Sequence, residues 1–305
     1  MERKATYLTL FIITIFAISF YAASKFAIKT NVFFESTQNE VMDLMYNPIV
    51  SLDNMAYSYV IKEYKKKIAY CVLPKNLSTK MKKFMEILKD SKIIYDAQYR
   101  NDTDFVNNKT YEFIPYNRRK EIIVNNEEWI WFTIQRNPIE RFISSFVDKC
   151  INEAGHRNFG YQTCYGCNGN VHCFVSIQLM RARLLLKNAS FIEESYEDRH
   201  FMPQAWFCNL KENKDKILTL PFENMGGLLD QLKEITTKRG FNEKFVKSLI
   251  KNLFTEKTSH TTSNTEIRKK IKEQIYKDKV LLRCLYNLYY VDYKVFGYQR
   301  PKELD

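Results

Sequence analysis

The chemically most informative part of the sequence is an apolar segment that runs into an arginine and then into a stretch of helical character. Residues 129–149 read WIWFTIQRNPIERFISSFVDK, which places Ser144 eight positions after Arg136. A guanidinium at a strand end can bind a phosphate through two parallel hydrogen bonds, and the start of a following helix adds backbone N–H groups and a hydroxyl. This spacing predicts a phosphate site, and a nucleotide phosphate is its expected ligand.

A second phosphate site is predicted upstream of the first. The apolar stretch 68–73 runs into PKNLST at 74–79, and a helix is expected to begin near Ser78. Strand, turn and helix again bring N–H groups and polar side chains to one place. Two such sites in one domain predict a single nucleotide that carries two anionic ends.

Four segments resemble motifs of the Golgi carbohydrate sulfotransferases, the group that contains the chondroitin, dermatan and HNK-1 enzymes. CVLPKNLST (71–79) is similar to the 5′-phosphosulfate loop of that family, and RNPIERFIS (136–144) is similar to its 3′-phosphate loop. HFMPQ (200–204), followed by Cys208, resembles the H-W-x-P-Q…C stretch, and YYVDYKVFGY (289–298) resembles the closing D-Y-x-x-F-G-Y. The motifs occur in the family's order and cover roughly residues 65–300.

The resemblance implies an α/β fold with a P-loop-like parallel sheet flanked by helices. It also implies transfer of a sulfuryl group from 3′-phosphoadenosine 5′-phosphosulfate to a hydroxyl of a glycosaminoglycan or of a glycoprotein or glycolipid glycan. The residues that would bind this donor lie in the two loops: Pro74, Lys75, Asn76, Leu77, Ser78, Thr79, Lys80, Arg136, Arg141 and Ser144. The alternative is a non-catalytic relative that keeps the fold and binds a glycan or a nucleotide.

Sulfuryl transfer resembles phosphoryl transfer, which depends on positioning and on stabilising the charge that develops on the leaving phosphate. Lys75, just before a helix start, is expected to place its ammonium near the bridging oxygen. A general base must accept the proton of the acceptor hydroxyl, and His200 is the leading candidate. The alternatives are nearby carboxylates: Glu194, Glu197 and Asp198. Nothing in this mechanism requires a metal.

Alternating strands and helices are predicted to position these residues. Strands are expected at residues 68–73, 128–134 and 217–220. Amphipathic helices are expected at 228–238, which Gly240 ends, and at 243–254 and 280–290. This alternation favours a parallel sheet that binds ligands at the carboxyl ends of its strands, where both loops fall. The polar loop 258–264 either connects helices or closes over the nucleotide.

The amino terminus bears on the compartment. Residues 5–24 carry no charge and are mostly apolar, which is long enough to cross a bilayer. We expect a cytoplasmic tail at 1–4, a transmembrane anchor at 5–24, a luminal stem at 25–60 and a luminal catalytic domain at 61–305. Arg3 and Lys4 favour this orientation. With the resemblance, this predicts a single-pass type II protein of the Golgi membrane, with a cleaved signal peptide as the alternative.

Charge and pattern argue against other classes of protein. The 305-residue chain has 47 basic and 35 acidic residues, so a positive surface is expected to favour a sulfated donor and an acidic glycan. Arg141 and Lys149 are predicted to lie on a solvated helix face, from which either could also contact such ligands. The P-loop kinase pattern is absent, and the loop at Lys75 has no glycine. The apolar amino-terminal segment 5–24, which predicts export, and the scattered positions of the aromatic residues argue against a nucleic-acid partner.

The seven cysteines are compatible with a secretory compartment. Cys71, inside an apolar strand, is expected to be a buried free thiol. The remaining six are Cys150, Cys164, Cys167, Cys173, Cys208 and Cys284. The C-x-x-C pair at 164–167 with His172 and Cys173 could bind zinc, but a disulfide-stapled loop of undetermined pairing is favoured.

Four N-glycosylation sequons agree with the same compartment. They lie at Asn76, Asn101, Asn108 and Asn188. Asn76 is expected to remain unmodified because it lies in the predicted donor loop.

Overall fold

The strands of the protein form a five-stranded sheet with the order β3-β1-β2-β4-β5 within the part of the chain that the structure describes. The structure is a computed structural model, and it describes residues 48–49, 57–89, 112–115, 128–153, 163–188, 195–255 and 265–305. The strands are β1 (Tyr57–Glu63), β2 (Ile68–Val72), β3 (Glu112–Pro115), β4 (Ile130–Gln135) and β5 (Ile217–Pro221).

The sheet is mixed, which corrects the expectation of an all-parallel sheet. β2 pairs with β4, and β4 with β5, in parallel, so the prediction is confirmed for the half of the sheet that carries the loops. β1 is antiparallel to both β2 and β3. A tight turn joins β1 to β2, with the backbone N–H of Lys66 bonded to the Glu63 carboxylate at 2.6 Å, and a short connection of this kind permits only antiparallel pairing. β1 also begins at Tyr57, inside the predicted stem.

Nine α-helices lie in the described ranges. They are α1 (Ser78–Lys89), α2 (Pro138–Phe146), α3 (Val171–Asn188), α4 (Tyr196–Phe201), α5 (Met225–Lys238), α6 (Glu243–Thr255), α7 (Glu266–Lys277), α8 (Lys279–Leu288) and α9 (Tyr290–Phe296). A π-helical turn, Val147–Asn152, continues α2, and a 3-10 turn spans Gln204–Asn209. The predicted helices at 228–238 and 243–254 are confirmed, and the one predicted at 280–290 is interrupted at Tyr289, where α8 ends and α9 begins.

Helices cover both faces of the sheet because its central strands are apolar on both sides. Ala69 and Cys71 of β2 face a core built with α2, α3 and α8. Tyr70 and Val72 alternate with them and face a second core built with α1, α5 and α6. The period of two along a strand therefore explains why β2 is completely buried.

The cysteine pairing differs in part from the prediction. Cys71 is not a free thiol, because it forms a disulfide with Cys208 and so ties β2 to the 204–209 turn. The loop after α2 is stapled as predicted, by Cys150–Cys164 and Cys167–Cys173. Both cysteines of the C-x-x-C pair, Cys164 and Cys167, are in disulfides, so the prediction of a disulfide-stapled loop, which was favoured over a zinc site, is confirmed. Cys284, buried in α8, is free.

Several predicted features lie outside the described ranges: the tail, the anchor at 5–24, most of the stem, Asn101, Asn108, Glu194 and the polar loop 258–264. Within those ranges, no helix combines the length and the apolar character that a membrane span needs.

Candidate functional site

Both predicted loops lie at the same edge of the sheet, at the carboxyl ends of adjacent parallel strands. β2 leads into Pro74 and Lys75, and β4 leads into Arg136. β5 ends beside them, where the backbone N–H of Phe222 donates to the carbonyl oxygen of Gln135 at 2.9 Å. The register of the three strands therefore brings three strand–helix connections together, in the place where parallel α/β sheets bind ligands.

The 5′ loop, residues 74–79, has a strained backbone conformation at two of its residues. Lys75 and Leu77 have φ angles of 71° and 56°, a left-handed conformation that costs a non-glycine residue about 1 kcal/mol or more. The side chain of Asn76, fully buried, holds this shape by donating through Nδ2 to the carbonyl oxygen of Ile134 at 2.7 Å and to Gln204 Oε1 at 2.6 Å. A glycan cannot be attached to an amide in this position.

The start of α1 completes the loop. Ser78 and Thr79 are its first residues, and the first N–H groups of any α-helix have no carbonyl partner within the helix. Such groups attract anions at a helix N-terminus, and the helix dipole adds to this effect. The loop therefore carries both backbone donors and Lys75, and their binding of a 5′ phosphosulfate stays a prediction.

Lys75 is bonded to a carboxylate that sequence reasoning did not identify. Its Nζ donates to Asp148 Oδ2 at 2.8 Å, and the two side chains are 11% and 4% exposed. Burial lowers the pKa of Lys75, while Asp148 opposes this shift. Burial alone would raise the pKa of Asp148, but the ammonium groups of Lys75 and Lys149 outweigh it and lower the pKa to about 2. Asp148 is therefore ionised at neutral pH and can accept from the Lys75 side chain.

Lys149 also contacts Asp148, the partner of Lys75, which corrects its predicted place on a solvated helix face. Its side chain is only 12% exposed, and its Nζ lies 3.0 Å from Asp148 Oδ2 and also bonds the Glu153 carboxylate. The hydroxyl of Tyr196 donates to the other oxygen of Glu153 at 3.0 Å. The π-helical turn after α2 thus carries two charged residues toward the 5′ loop.

Arg136 crosses from the 3′ loop to the 5′ loop. Its Nη1 donates to the carbonyl oxygen of Lys75 at 2.9 Å, and its guanidinium lies 4.3 Å from the centroid of the Phe222 ring. Burial and the nearby Arg268 lower the pKa of Arg136 to about 10, so it stays charged at neutral pH. Its Nε is buried and has no hydrogen-bond partner among the described residues. A buried guanidinium donor of this kind is a candidate for binding an anionic ligand.

Arg141 and Ser144 lie on α2 behind the loops. Arg141 is fully buried, and it donates through Nε to the carbonyl oxygen of Pro74 at 3.1 Å and through Nη1 to that of Met202 at 2.8 Å. It therefore supports the 5′ loop from inside, which corrects the predicted solvated face. Its Nη2 is buried without a hydrogen-bond partner among the described residues, so its contact with a donor stays a prediction. Ser144, one helical turn later, is 5% exposed.

His200 lies in α4, near the ammonium groups of Lys75 and Lys149. Its Nδ1 is 2.9 Å from the carbonyl oxygen of Tyr196, and its own carbonyl oxygen accepts from Ser145 Oγ at 2.9 Å. Burial, together with the nearby Lys149 and Lys75, lowers the pKa of His200 to about 3. The imidazole is therefore neutral at physiological pH. Because a carbonyl only accepts, Nδ1 carries the proton and Nε2 is the basic nitrogen.

The alternative carboxylates described by the structure have other roles. Glu197 accepts from the backbone N–H of Cys164 at 2.9 Å, in the disulfide loop. Asp198 binds the guanidinium of Arg181, with Nε 2.7 Å from Oδ1, and caps α4 through Ser195. These two carboxylates hold the fold together, so His200 remains the candidate base.

The pKa of His200 gives a prediction about pH. We expect the ring resonances of His200, assigned from their loss in His200→Asn, to stay unshifted between about pH 7.5 and 5 in an NMR titration. The unfolded chain takes up this proton near its ordinary pKa of about 6.5. Wild-type protein should therefore lose more stability than His200→Asn as the pH falls from 6.5 toward 4. A titration midpoint near 6.5 for the folded protein would contradict the burial of this ring.

Comparison with known proteins finds a family model and several relatives that resemble this chain. The family model described as "Sulfotransferase family" matches residues 58–299. Relatives in Caenorhabditis elegans include an uncharacterized protein, 26% identical over 77% of this chain and 68% of its own length. The putative sulfotransferase vep-2 is 30% identical over 67% of this chain and 66% of its own length. The carbohydrate sulfotransferase chst-1 is 32% identical over 53% of this chain and 50% of its own length. No solved structure matches significantly.

Proposed function

Because this chain belongs to the sulfotransferase family, we propose that it transfers a sulfuryl group from 3′-phosphoadenosine 5′-phosphosulfate to a hydroxyl of a glycan. The observation that carries the proposal is the bond from Arg136 to the Lys75 carbonyl oxygen, which places two cationic loops side by side at one edge of the sheet. The similarity to a relative named as a carbohydrate sulfotransferase supports a sugar as the acceptor.

The two loops fit the two ends of this donor. The 5′ loop offers the Lys75 ammonium, the hydroxyls of Ser78 and Thr79, and the free N–H groups at the start of α1. The 3′ loop offers Arg136, whose Nε has no partner among the described residues. A guanidinium with an unused donor suits a phosphate better than a sugar or a base.

Lys75 has the role of stabilising the leaving group. As the acceptor oxygen bonds to sulfur, the bond from sulfur to the bridging phosphate oxygen breaks, and negative charge grows on that oxygen. An ammonium held nearby stabilises this charge more than it stabilises the bound donor. Asp148 can keep one bond to Lys75 during this process, because an ammonium has three N–H donors.

His200 has the role of the general base in this proposal. Its Nε2 would accept the proton that the acceptor hydroxyl loses, with Nδ1–H held by the Tyr196 carbonyl oxygen. The pKa of about 3 makes His200 a weak base in the free protein. The positive balance of the whole chain, +12, favours an acidic glycan.

The experiment is a transfer assay with donor labelled at sulfur and a panel of desulfated glycosaminoglycans and terminal-glucuronate glycans. We expect label in at least one glycan, and much less with adenosine 5′-phosphosulfate, which lacks the 3′-phosphate. Binding of the desulfated product, 3′,5′-ADP, without transfer to any of these glycans would instead favour the non-catalytic relative.

The location in the Golgi membrane is part of the proposal. It is supported by the apolar stretch 5–24, by the sequons and by three disulfides among the described residues. We expect glycosidase to lower the mass of the membrane-bound protein while an amino-terminal tag is retained. The sugars should be lost from Asn101, Asn108 or Asn188, since Asn76 is buried. Recovery of an unglycosylated protein from the cytosol would contradict this location.

A further inference from the structure

A buried glutamine lies between the two loops and bonds to both. Gln204 Oε1 accepts from Asn76 Nδ2 at 2.6 Å, in the 5′ loop, and from the backbone N–H of Arg136 at 3.1 Å, in the 3′ loop. Gln204 Nε2 donates to the carbonyl oxygen of Arg136 at 2.8 Å. Asn76 and Gln204 are both fully buried. One amide group thus bonds to both loops, in addition to the direct bond from Arg136 Nη1 to the Lys75 carbonyl oxygen.

Asp292, in α9, fixes the orientation of this glutamine. Its Oδ2 accepts from the backbone N–H of Gln204 at 2.9 Å and from Gln204 Nε2 at 3.3 Å, and its Oδ1 accepts from the N–H of Ala205 at 2.8 Å. The carboxylate is fully buried. Burying a carboxylate is costly unless several donors satisfy it, so these bonds also hold α9 against the 204–209 turn.

The turn that carries Gln204 is connected to the 5′ loop in two further ways. The Cys71–Cys208 disulfide joins it to β2, three residues before Pro74. Arg141 bridges the carbonyl oxygens of Pro74 and Met202. The turn is therefore a rigid support, while the only bonds described from it to the backbone of Arg136 come from the Gln204 amide.

We propose that Gln204, oriented by Asp292, is a positioning residue that sets the separation of the two loops so that one nucleotide can bind through both anionic ends. This inference rests on the proposed function, because it requires a ligand with two such ends. When one end of a ligand is bound, the second binds with a high effective concentration only if its site is at the right distance. Loss of the correct spacing should therefore weaken two-ended ligands selectively.

The chemistry of this position requires an amide. Gln204 must accept two hydrogen bonds and donate two at the same time. A glutamate would accept but not donate, and it would add a negative charge beside Asp292. A methionine has a similar size and shape but can form none of these bonds. Gln204→Met is therefore the variant that removes the Gln204 bonds to both loops with the least change in packing, while the direct bonds from Arg136 to Lys75 and from Asn76 to Ile134 remain.

The test compares the affinities of three nucleotides by calorimetry. These are 3′,5′-ADP, which has both anionic ends, and adenosine 5′-monophosphate and adenosine 3′-monophosphate, which have one each. We expect Gln204→Met to raise the dissociation constant of 3′,5′-ADP about 10- to 100-fold and those of the monophosphates less than about threefold. Asp292→Asn leaves Gln204 in place and should also weaken 3′,5′-ADP selectively, with a smaller rise in its dissociation constant. This second variant provides the test if Gln204→Met does not fold.

Gln178→Met is the matched control. Gln178 is also a fully buried glutamine, and its Oε1 accepts from the Tyr165 hydroxyl at 2.8 Å, with no bond described to either loop. We expect this variant to lose stability without selective loss of 3′,5′-ADP. Equal loss of all three nucleotides in Gln204→Met, no loss, or the same selectivity in Gln178→Met would overturn the inference. Wild-type protein that does not bind 3′,5′-ADP would overturn the proposed function itself.

Discussion

Lys75→Ala is expected to lower kcat about a hundred- to a thousandfold, the usual effect of removing a group that stabilises charge in a transition state. The dissociation constant of the donor should change much less, because Lys75 acts mainly on charge that appears during transfer. The loop should keep its shape, since Asn76 holds it through Ile134 and Gln204. The measurement is kcat at saturating donor together with donor affinity.

A suitable control for this variant is Lys277→Ala, which removes an ammonium from the exposed end of α7, where its partner is Glu273. This change should leave kcat unaltered. Asp148→Asn should lower kcat less than Lys75→Ala, because it loosens the ammonium without removing it. Normal turnover of Lys75→Ala at saturating donor would show that Lys75 is only a phosphate anchor or a turn residue.

Arg136 should dominate binding of the 3′-phosphate. We expect Arg136→Ala to weaken binding of 3′,5′-ADP by about 2 kcal/mol or more, or about 30-fold, as for other hydrogen bonds to charged groups. Arg136→Lys should recover little of this loss. A single ammonium cannot bond the Lys75 carbonyl oxygen, stack on Phe222 and also bind a phosphate through two parallel N–H groups.

The role of Arg136 can be separated from a structural one by measuring adenosine 5′-monophosphate as well. Its affinity should change less than that of 3′,5′-ADP in both variants. Arg239→Lys is the control, because Arg239 also donates to a carbonyl oxygen, that of Glu128, but at the opposite end of β4. Unchanged affinity for 3′,5′-ADP in both folded Arg136 variants would exclude the 3′-phosphate role.

The positions of the two loops were predictable from the sequence because their signals are local. An apolar strand, a short polar turn and a helix start follow one another within the residues 68–80 and again within 130–144. Parallel pairing of β2 with β4 then places both loops at one edge, as expected from alternating strands and helices. The antiparallel strand β1 was missed, because its residues carry no alternation that distinguishes them from a stem.

Contacts between distant residues were not predictable in this way. Asp148 follows Lys75 by 73 positions, and nothing in the sequence near either residue indicates that they meet. Arg141 and Lys149 were expected on a solvated helix face. In the structure, α2, which carries Arg141, is buried on nearly all sides, and the π-helical turn after it brings Lys149 to Asp148, so both side chains make polar contacts inside the protein. The pairing of Cys71 with Cys208 bridges 137 residues and was equally hidden.

The structure shows what two of the family-like motifs, HFMPQ (200–204) and YYVDYKVFGY (289–298), do in the fold. His200 and Gln204 belong to HFMPQ, and the closing motif bonds back to this region through Asp292 and through the Tyr289 hydroxyl, which donates to the Phe201 carbonyl oxygen at 2.7 Å. The Tyr298 hydroxyl likewise donates to the Glu223 carboxylate at 3.1 Å, and this carboxylate also accepts from the backbone N–H of Asn137, the residue after Arg136. The carboxyl-terminal motif is therefore part of the support for both loops.

Sulfuryl transfer from the nucleotide to a sugar can be tested by following both products of one reaction. Purified protein would be incubated with 3′-phosphoadenosine 5′-phosphosulfate and the acceptor that takes up most label. Sulfated sugar would be measured by mass spectrometry and 3′,5′-ADP by chromatography. We expect the two products to form in equal amounts, sulfation to be found on a hydroxyl of the sugar, and both products to fall together in Lys75→Ala. Release of 3′,5′-ADP without sulfated sugar, or sulfated sugar formed equally well by Lys75→Ala, would contradict it.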